Sequence, residues 1–293
     1  MNLVIFGIGY SGLAIARELS ASGATITGTT RKDSRFAEIR AAGAEPDIYA
    51  GEGFSASLAE KLAKATHIVV SIAPDHGGDP LLADFGDSLA SHCPKLEWVG
   101  YLSTVGVYGD HDGGWVDEET PCRPVSRRSV ARVKAEAGWR ALSARAGVPL
   151  AILRLSGIYG PGKNALANLA AGTARRLVKP GQVFNRIHVE DIAGATALLA
   201  DRRADGIVNV TDDEPAPPQD VVAFAAHLMG VEPPPETDFA TAELSPMARS
   251  FYDENKRVSN ARIRALGYTF RHPDYRAALT SLWRDGNWRP AGL

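Results

Sequence analysis

The chain has 293 residues, of which 45% are hydrophobic and 23% charged, with 32 basic and 34 acidic side chains giving a formal charge of -2. That size and composition describe a globular chain with a substantial core and exclude disordered and fibrous classes. The balanced charge excludes a large nucleic-acid footprint. Two cysteines, Cys93 and Cys122, exclude a disulfide framework and a four-cysteine zinc site, and two free thiols in a cytoplasmic protein are the expectation.

The opening sixteen residues are mostly apolar, but no basic residue precedes them and Gly7, Gly9 and Gly12 interrupt them, so a signal peptide is not supported. No run of about 18 uncharged apolar residues follows, so neither a membrane span nor a membrane partner is expected.

Strand-length apolar runs then alternate with helical patterns: Leu3 to Phe6, Leu13 to Ala21, Thr25 to Thr29, Arg35 to Ala42, Ile68 to Ile72, Trp98 to Leu102 and Leu150 to Leu153. Continuous apolar strands such as His67 to Ile72 suit a parallel sheet covered on both faces. A helix is predicted over Ser126 to Arg145, with Val130, Val133, Ala137 and Leu142 near one face and Gly147-Val-Pro149 ending it. Beyond Pro161 the rhythm loosens. Helices are predicted near Ala165 to Arg176, Asp191 to Asp201 and Gln219 to Met229, a turn at Lys179 to Gly181 and a strand at Gly206 to Val210. The prolines of 214–218 and 233–235 read as rigid connections. The expected fold is α/β: a Rossmann-type doubly wound parallel sheet over residues 1–160, and a smaller carboxyl-terminal substrate subdomain over 161–293 with elements returning to the core.

Gly7-Ile-Gly-Tyr-Ser-Gly12 follows a predicted strand and opens a predicted helix. Glycines there permit a tight turn and let the backbone approach a pyrophosphate, which the helix amino terminus attracts, so Gly7, Gly9, Tyr10, Ser11 and Gly12 are cofactor-binding candidates. A structural turn and S-adenosylmethionine are the alternatives. The second strand ends in Thr27-Gly-Thr-Thr-Arg31-Lys32, without the carboxylate that usually meets an NAD ribose. Thr30, Arg31 and Lys32 offer donors suited to a 2′-phosphate, which favours NADP over NAD; Asp33 keeps NAD open.

Further segments join the glycine loop in resembling the short-chain dehydrogenase/reductase superfamily, in its atypical and extended branch of NAD(P)-dependent epimerases and dehydratases. They are Ser71-Ile-Ala-Pro74, Leu102-Ser-Thr-Val-Gly-Val-Tyr-Gly109, Leu153-Arg-Leu-Ser-Gly-Ile-Tyr-Gly-Pro-Gly162 and Ile187-His-Val-Glu-Asp-Ile-Ala193. The resemblance implies that Ala73 and Pro74 line the cofactor, that Thr104 orients the reacting oxygen, and that Lys134 holds the nicotinamide ribose. In that family a tyrosine four residues before the lysine, its pKa lowered by the lysine charge, moves the proton. Here that position is Val130, and no tyrosine lies between Tyr108 and Tyr159. Tyr108 is the remaining catalytic candidate, and Tyr159, Arg186 and Arg257 are candidates for substrate binding. Lys134 as an exposed helix lysine is the competing reading.

No metal site is expected, because the seven histidines are scattered and His188 reads as a structural hydrogen-bonding residue. No GxSxG nucleophile elbow occurs. Two functions remain. One is an NADP-dependent oxidoreductase or epimerase acting on a small or nucleotide-linked substrate. The other is a non-catalytic protein that senses NADP(H) or binds a ligand. The oligomeric state stays open, a homodimer included.

Overall fold

The structure, a computed structural model, describes residues 1–75 and 77–289. The chain divides into two compact units that interleave along the sequence. The first comprises Met1–Val107, Pro124–Leu155 and Ile192–Val208; the second comprises Tyr108–Arg123, Ser156–Asp191 and Asn209–Leu293. Relative to a single boundary after residue 160, Tyr108–Arg123 joins the second unit and Ile192–Val208 returns to the first.

The first unit is built on strands β1 (Asn2–Phe6), β2 (Thr25–Thr30), β3 (Glu45–Ile48), β4 (His67–Val70) and β5 (Trp98–Thr104), extended by Leu150–Leu155 and Gly206–Val210. Their order is Gly206–Val210, Leu150–Leu155, β5, β4, β1, β2, β3. Pairing is parallel from β3 through to Leu150–Leu155. The chain therefore winds outward in one direction from β1 to β3 and in the other from β4, and the reversal falls between β1 and β4. Ligands of such sheets bind beyond the carboxyl ends of the strands at that reversal. Every residue of β4 and of Leu150–Leu155 is buried, as expected of strands covered on both faces. One layer of the core is aromatic: Phe6 meets Tyr49 and Phe85 edge-on at 5.3 and 6.1 Å between ring centres.

Helix α1 (Tyr10–Ala21) buries Leu13, Ile15, Ala16 and Leu19. The helix Arg127–Ala146 begins where the sequence places it, because the Ser126 side chain accepts from the Ser129 N–H, and ends where Gly147 adopts φ +67°. Its inward face keeps Leu142 of the predicted one but not the rest: Val130 is 39% exposed and Ala137 exposed, whereas Ala135, Glu136 and Trp139 are buried, because this face carries a buried charge pair besides its apolar contacts. Burial pushes the Cys93 thiol up to about 12, which makes it an inert core side chain.

In the second unit Gly157–Tyr159 pairs with Arg186–His188, Trp115–Val116 with Arg257–Val258, and Arg176–Val178 with Glu236–Asp238, all in parallel. The predicted helix Ala165 to Arg176 is shorter, Ala165–Ala170, because the chain turns at Gly172 and enters the strand Arg176–Val178. Helices Pro218–Met229 and Tyr275–Arg284 pack with it around Leu166, Val221, Ala225, Tyr275, Leu279 and Trp288. No helix among the described residues is long and apolar enough to cross a membrane.

Candidate functional site

The glycine loop leaves β1 at the topological reversal. Gly7 adopts φ +78°, and a Cβ there would stand 2.6 Å from Ile72 Cγ1, so a side chain would collide with the segment that follows β4. A Cβ on Gly12 would stand 3.2 Å from Ile8 Cγ1 and 3.4 Å from Ile5 Cγ2, which shows how closely α1 approaches its strand. β2 fixes the turn: Gly7 N–H donates to Thr29 Oγ1 at 3.0 Å and Ile8 N–H to the Thr29 carbonyl at 2.9 Å. No side chain caps α1 and no carboxylate stands in its first turn, so its positive end is left to an outside anion. Tyr10 is 37% exposed at this end and Ser11 is buried.

At the end of β2, Thr30 is buried while Arg31 and Lys32 are exposed. Arg35 joins them, which sequence reading missed by stopping at Lys32. Its Nη1 donates to the Ile8 carbonyl at 2.9 Å, inside the glycine loop, and its Nη2 lies 2.8 Å from Glu38 Oε2. Ala73 is exposed and Pro74 half-buried in the irregular segment after β4.

Thr104 closes β5, half-buried, with Oγ1 accepting from Gly106 N–H at 3.1 Å. A Cβ on Gly106 would lie 3.0 Å from Ser129 Oγ and 3.5 Å from Thr104 Oγ1, so the two hydroxyls flank one glycine. Ser129 was read only as part of a helix; the signal for it is its position one residue before Val130. Lys134 is exposed. Behind Thr104, Ser103 Oγ donates to Glu136 Oε1 at 2.5 Å, and Arg154 reaches Glu136 through Nε at 3.2 Å and Nη2 at 2.8 Å. Glu136 and Arg154 are each 2% exposed. A buried, hydrogen-bonded ion pair of this kind helps fix the strand end that presents Thr104.

The other candidates lie in the second unit. Tyr108 is fully buried and its hydroxyl donates to Asn209 Oδ1 at 2.7 Å. The Tyr159 hydroxyl is buried without a hydrogen-bond partner among the described residues. Burial, reinforced by Asp212, holds this phenol well above its ordinary range, opposite to the shift an acid/base tyrosine needs. Arg186 Nη1 donates to the carbonyls of Phe184 and Ala216 at 3.0 and 3.1 Å. Burial pushes its guanidinium pKa down, while nearby Asp212 opposes that shift. Arg257 donates to the Gly113 carbonyl and its backbone pairs with Trp115, which binds it to the 113–115 turn.

Asp212 is buried, and burial holds its carboxyl well above 3.8, against the lowering effects of Arg186 and the Glu214 N–H. Ionising such a group costs stability; the cost is absent below pH 3.8 and grows as the pH rises through the folded-state value. Asp212→Asn, fixed in the neutral form, should therefore raise the thermal midpoint at pH 7, and the gain should vanish at pH 3. A melting series of both proteins across that range checks this.

Residues 85–211 match the model of the NAD dependent epimerase/dehydratase family. A conserved protein of unknown function from Silicibacter pomeroyi DSS is 49% identical, with a TM-score of 0.89 over 97% of this chain and 99% of its own. A Methylobacillus flagellatus chain classed with the NAD-dependent epimerases/dehydratases is 28% identical, with a TM-score of 0.73 over 97% and 98% of the two chains. Protein YeeZ of Escherichia coli (strain K12) is 28% identical over 93% of this chain and 97% of its own. Solved structures of this fold at lower identity hold NAD in some cases and NADPH in another.

Proposed function

We propose that the chain, whose residues 85–211 match the NAD dependent epimerase/dehydratase family model, is a member of that family and an NADP(H)-dependent oxidoreductase or epimerase acting on a small or nucleotide-linked substrate. The observation that carries this reading is the open, uncapped start of α1 beside a strand end that bears exposed Arg31 and Lys32 and no carboxylate through residue 32, Asp33 following. The first feature suits a pyrophosphate and the second a ribose 2′-phosphate. When bound, the cofactor supplies or accepts a hydride.

The chain's own residues divide the remaining work. The glycine loop brings its backbone to the pyrophosphate. Thr104, its Oγ1 oriented by Gly106 N–H, donates its hydroxyl hydrogen to the reacting oxygen of the substrate and polarises it, with Ser129 Oγ alongside. Lys134, exposed on its helix, is the residue that would hold the nicotinamide ribose. Thr104→Val removes the donor at nearly constant volume and should lower kcat about 10- to 1,000-fold with cofactor affinity unchanged, read by nicotinamide fluorescence against a panel of carbonyl and nucleotide-sugar compounds.

A second reading, a protein that binds NADP(H) without turnover, is favoured by one observation. The position four residues before Lys134 is an exposed valine, and Tyr108 and Tyr159 are both sealed away. Tight NADPH binding with no oxidation across the whole panel selects this reading.

A further inference from the structure

His188, Glu190 and His272 converge within the second unit, although 82 residues separate Glu190 from His272. One ligand atom from each lies within 4.8 Å of the other two. His272 Nε2 is 2.9 Å from Glu190 Oε2, and His188 Nδ1 is 3.9 Å from the same oxygen. The imidazole ring centres stand 3.8 Å apart at 45°. Among the described residues this is the one such convergence of histidine, cysteine and carboxylate side chains.

We infer that His188 Nδ1, Glu190 Oε2 and His272 Nε2 form a binding site for one divalent transition-metal ion, with zinc as the best-matched occupant. Tetrahedral zinc with bonds of about 2.0–2.1 Å places its ligand atoms about 3.3–3.4 Å apart. The separations of 2.9 and 3.9 Å to the shared Glu190 oxygen straddle that edge. Two imidazoles and one carboxylate are a donor set that zinc takes with a fourth position left to water.

Glu190 N–H donates to His188 Nδ1 at 3.3 Å, which makes Nδ1 the nitrogen with the lone pair; that amide would give way to the metal, and Nε2, buried without a hydrogen-bond partner among the described residues, would keep the proton. The hydrogen bond between His272 Nε2 and Glu190 Oε2 would give way to the metal, the proton moving to His272 Nδ1 from a neutral imidazole or leaving to solvent from a cationic one.

The surroundings hold the ligands in place. Tyr159 packs edge-on against His188 at 5.4 Å. Asp191, fully buried, accepts from Arg271 N–H at 2.7 Å, His272 N–H at 3.0 Å and Tyr268 Oη at 2.8 Å, which pins the backbone that carries His272. Glu190 is 47% exposed and provides the path in from solvent, whereas the His188 side chain is 1% exposed and the His272 side chain 12%. The competing account is an ion pair of Glu190 with His272 beside a structural His188, with no metal.

The test uses the full chain, stripped with chelator and dialysed, then titrated with zinc sulfate by calorimetry and with cobalt(II) by visible absorption. The expected result is one zinc per chain, a raised melting temperature that a chelator reverses, and cobalt bands of four-coordinate intensity. His272→Gln, which keeps a donor toward Glu190 and so preserves the fold, and Glu190→Gln should each weaken zinc binding by more than about 100-fold, beyond the loss typical of an outer-shell change. Zinc uptake equal in the parent and in both variants, or no uptake by the parent, overturns the site and leaves the ion pair as the account.

Discussion

Glu136→Gln should lower the unfolding free energy by about 3–5 kcal/mol, one of the two largest effects expected in this chain. Arg154 is 2% exposed, and Glu136 takes two of its donors, so neutralising Glu136 removes this carboxylate counter-charge from a buried guanidinium. For a unit of this size each kcal/mol moves the thermal midpoint by about 2–4 °C, so a drop on the order of 10 °C is expected in calorimetry or circular dichroism. Replacing both partners by apolar residues of similar volume, Glu136→Leu with Arg154→Met, should recover most of the loss. A buried pair is costly to break but inexpensive to remove whole. If the single substitution melts with the parent, the pair does not stabilise the first unit. Because Ser103 Oγ donates to the same carboxylate one residue before Thr104, and Leu at 136 leaves it without that acceptor while Gln keeps one, the double substitution should depress turnover at least as much as the single one even as it recovers stability.

Arg31→Ala with Lys32→Ala should weaken NADPH binding by about 100-fold or more and change NADH binding less than about threefold, since each charge-assisted contact to a phosphate contributes about 1.5–3 kcal/mol. Selectivity is expected because the 2′-phosphate is the only group that separates the two cofactors, and residues 27–32 carry no carboxylate to favour a free hydroxyl. Equal losses for both cofactors would show that the two cations serve solubility or folding. Arg35 is the natural third substitution. Its anchoring to the Ile8 carbonyl means that Arg35→Ala should weaken both cofactors, because it disturbs the glycine loop itself.

The parts of this protein that were legible in the sequence are those governed by local rules. The βαβ alternation, the glycine loop, the Ser126 cap and the Gly147 end each depend on neighbours in the chain, and the sheet and helices formed there as read. What escaped depends on distant partners. Arg154 sits in the apolar strand Leu150–Leu155, and its counter-charge comes from Glu136 on another element, so neither residue signals the pair alone. The predicted apolar face of Arg127–Ala146 rotated away from Val130 for the same reason. Tyr108 looked available because sequence shows a phenol and not the Asn209 that occupies it, 101 residues later. The gathering of His188, Glu190 and His272 was hidden by the same separation.

The most direct measurement for the central claim is a side-by-side titration of the purified protein with NADPH, NADH and S-adenosylmethionine, followed by tryptophan quenching and nicotinamide fluorescence. The account predicts saturable binding of NADPH, tighter than NADH by at least about tenfold, or about 1.4 kcal/mol, and no competition from S-adenosylmethionine. Absence of binding by either nicotinamide cofactor would contradict it, and tighter binding of NADH would contradict the assignment of Arg31 and Lys32.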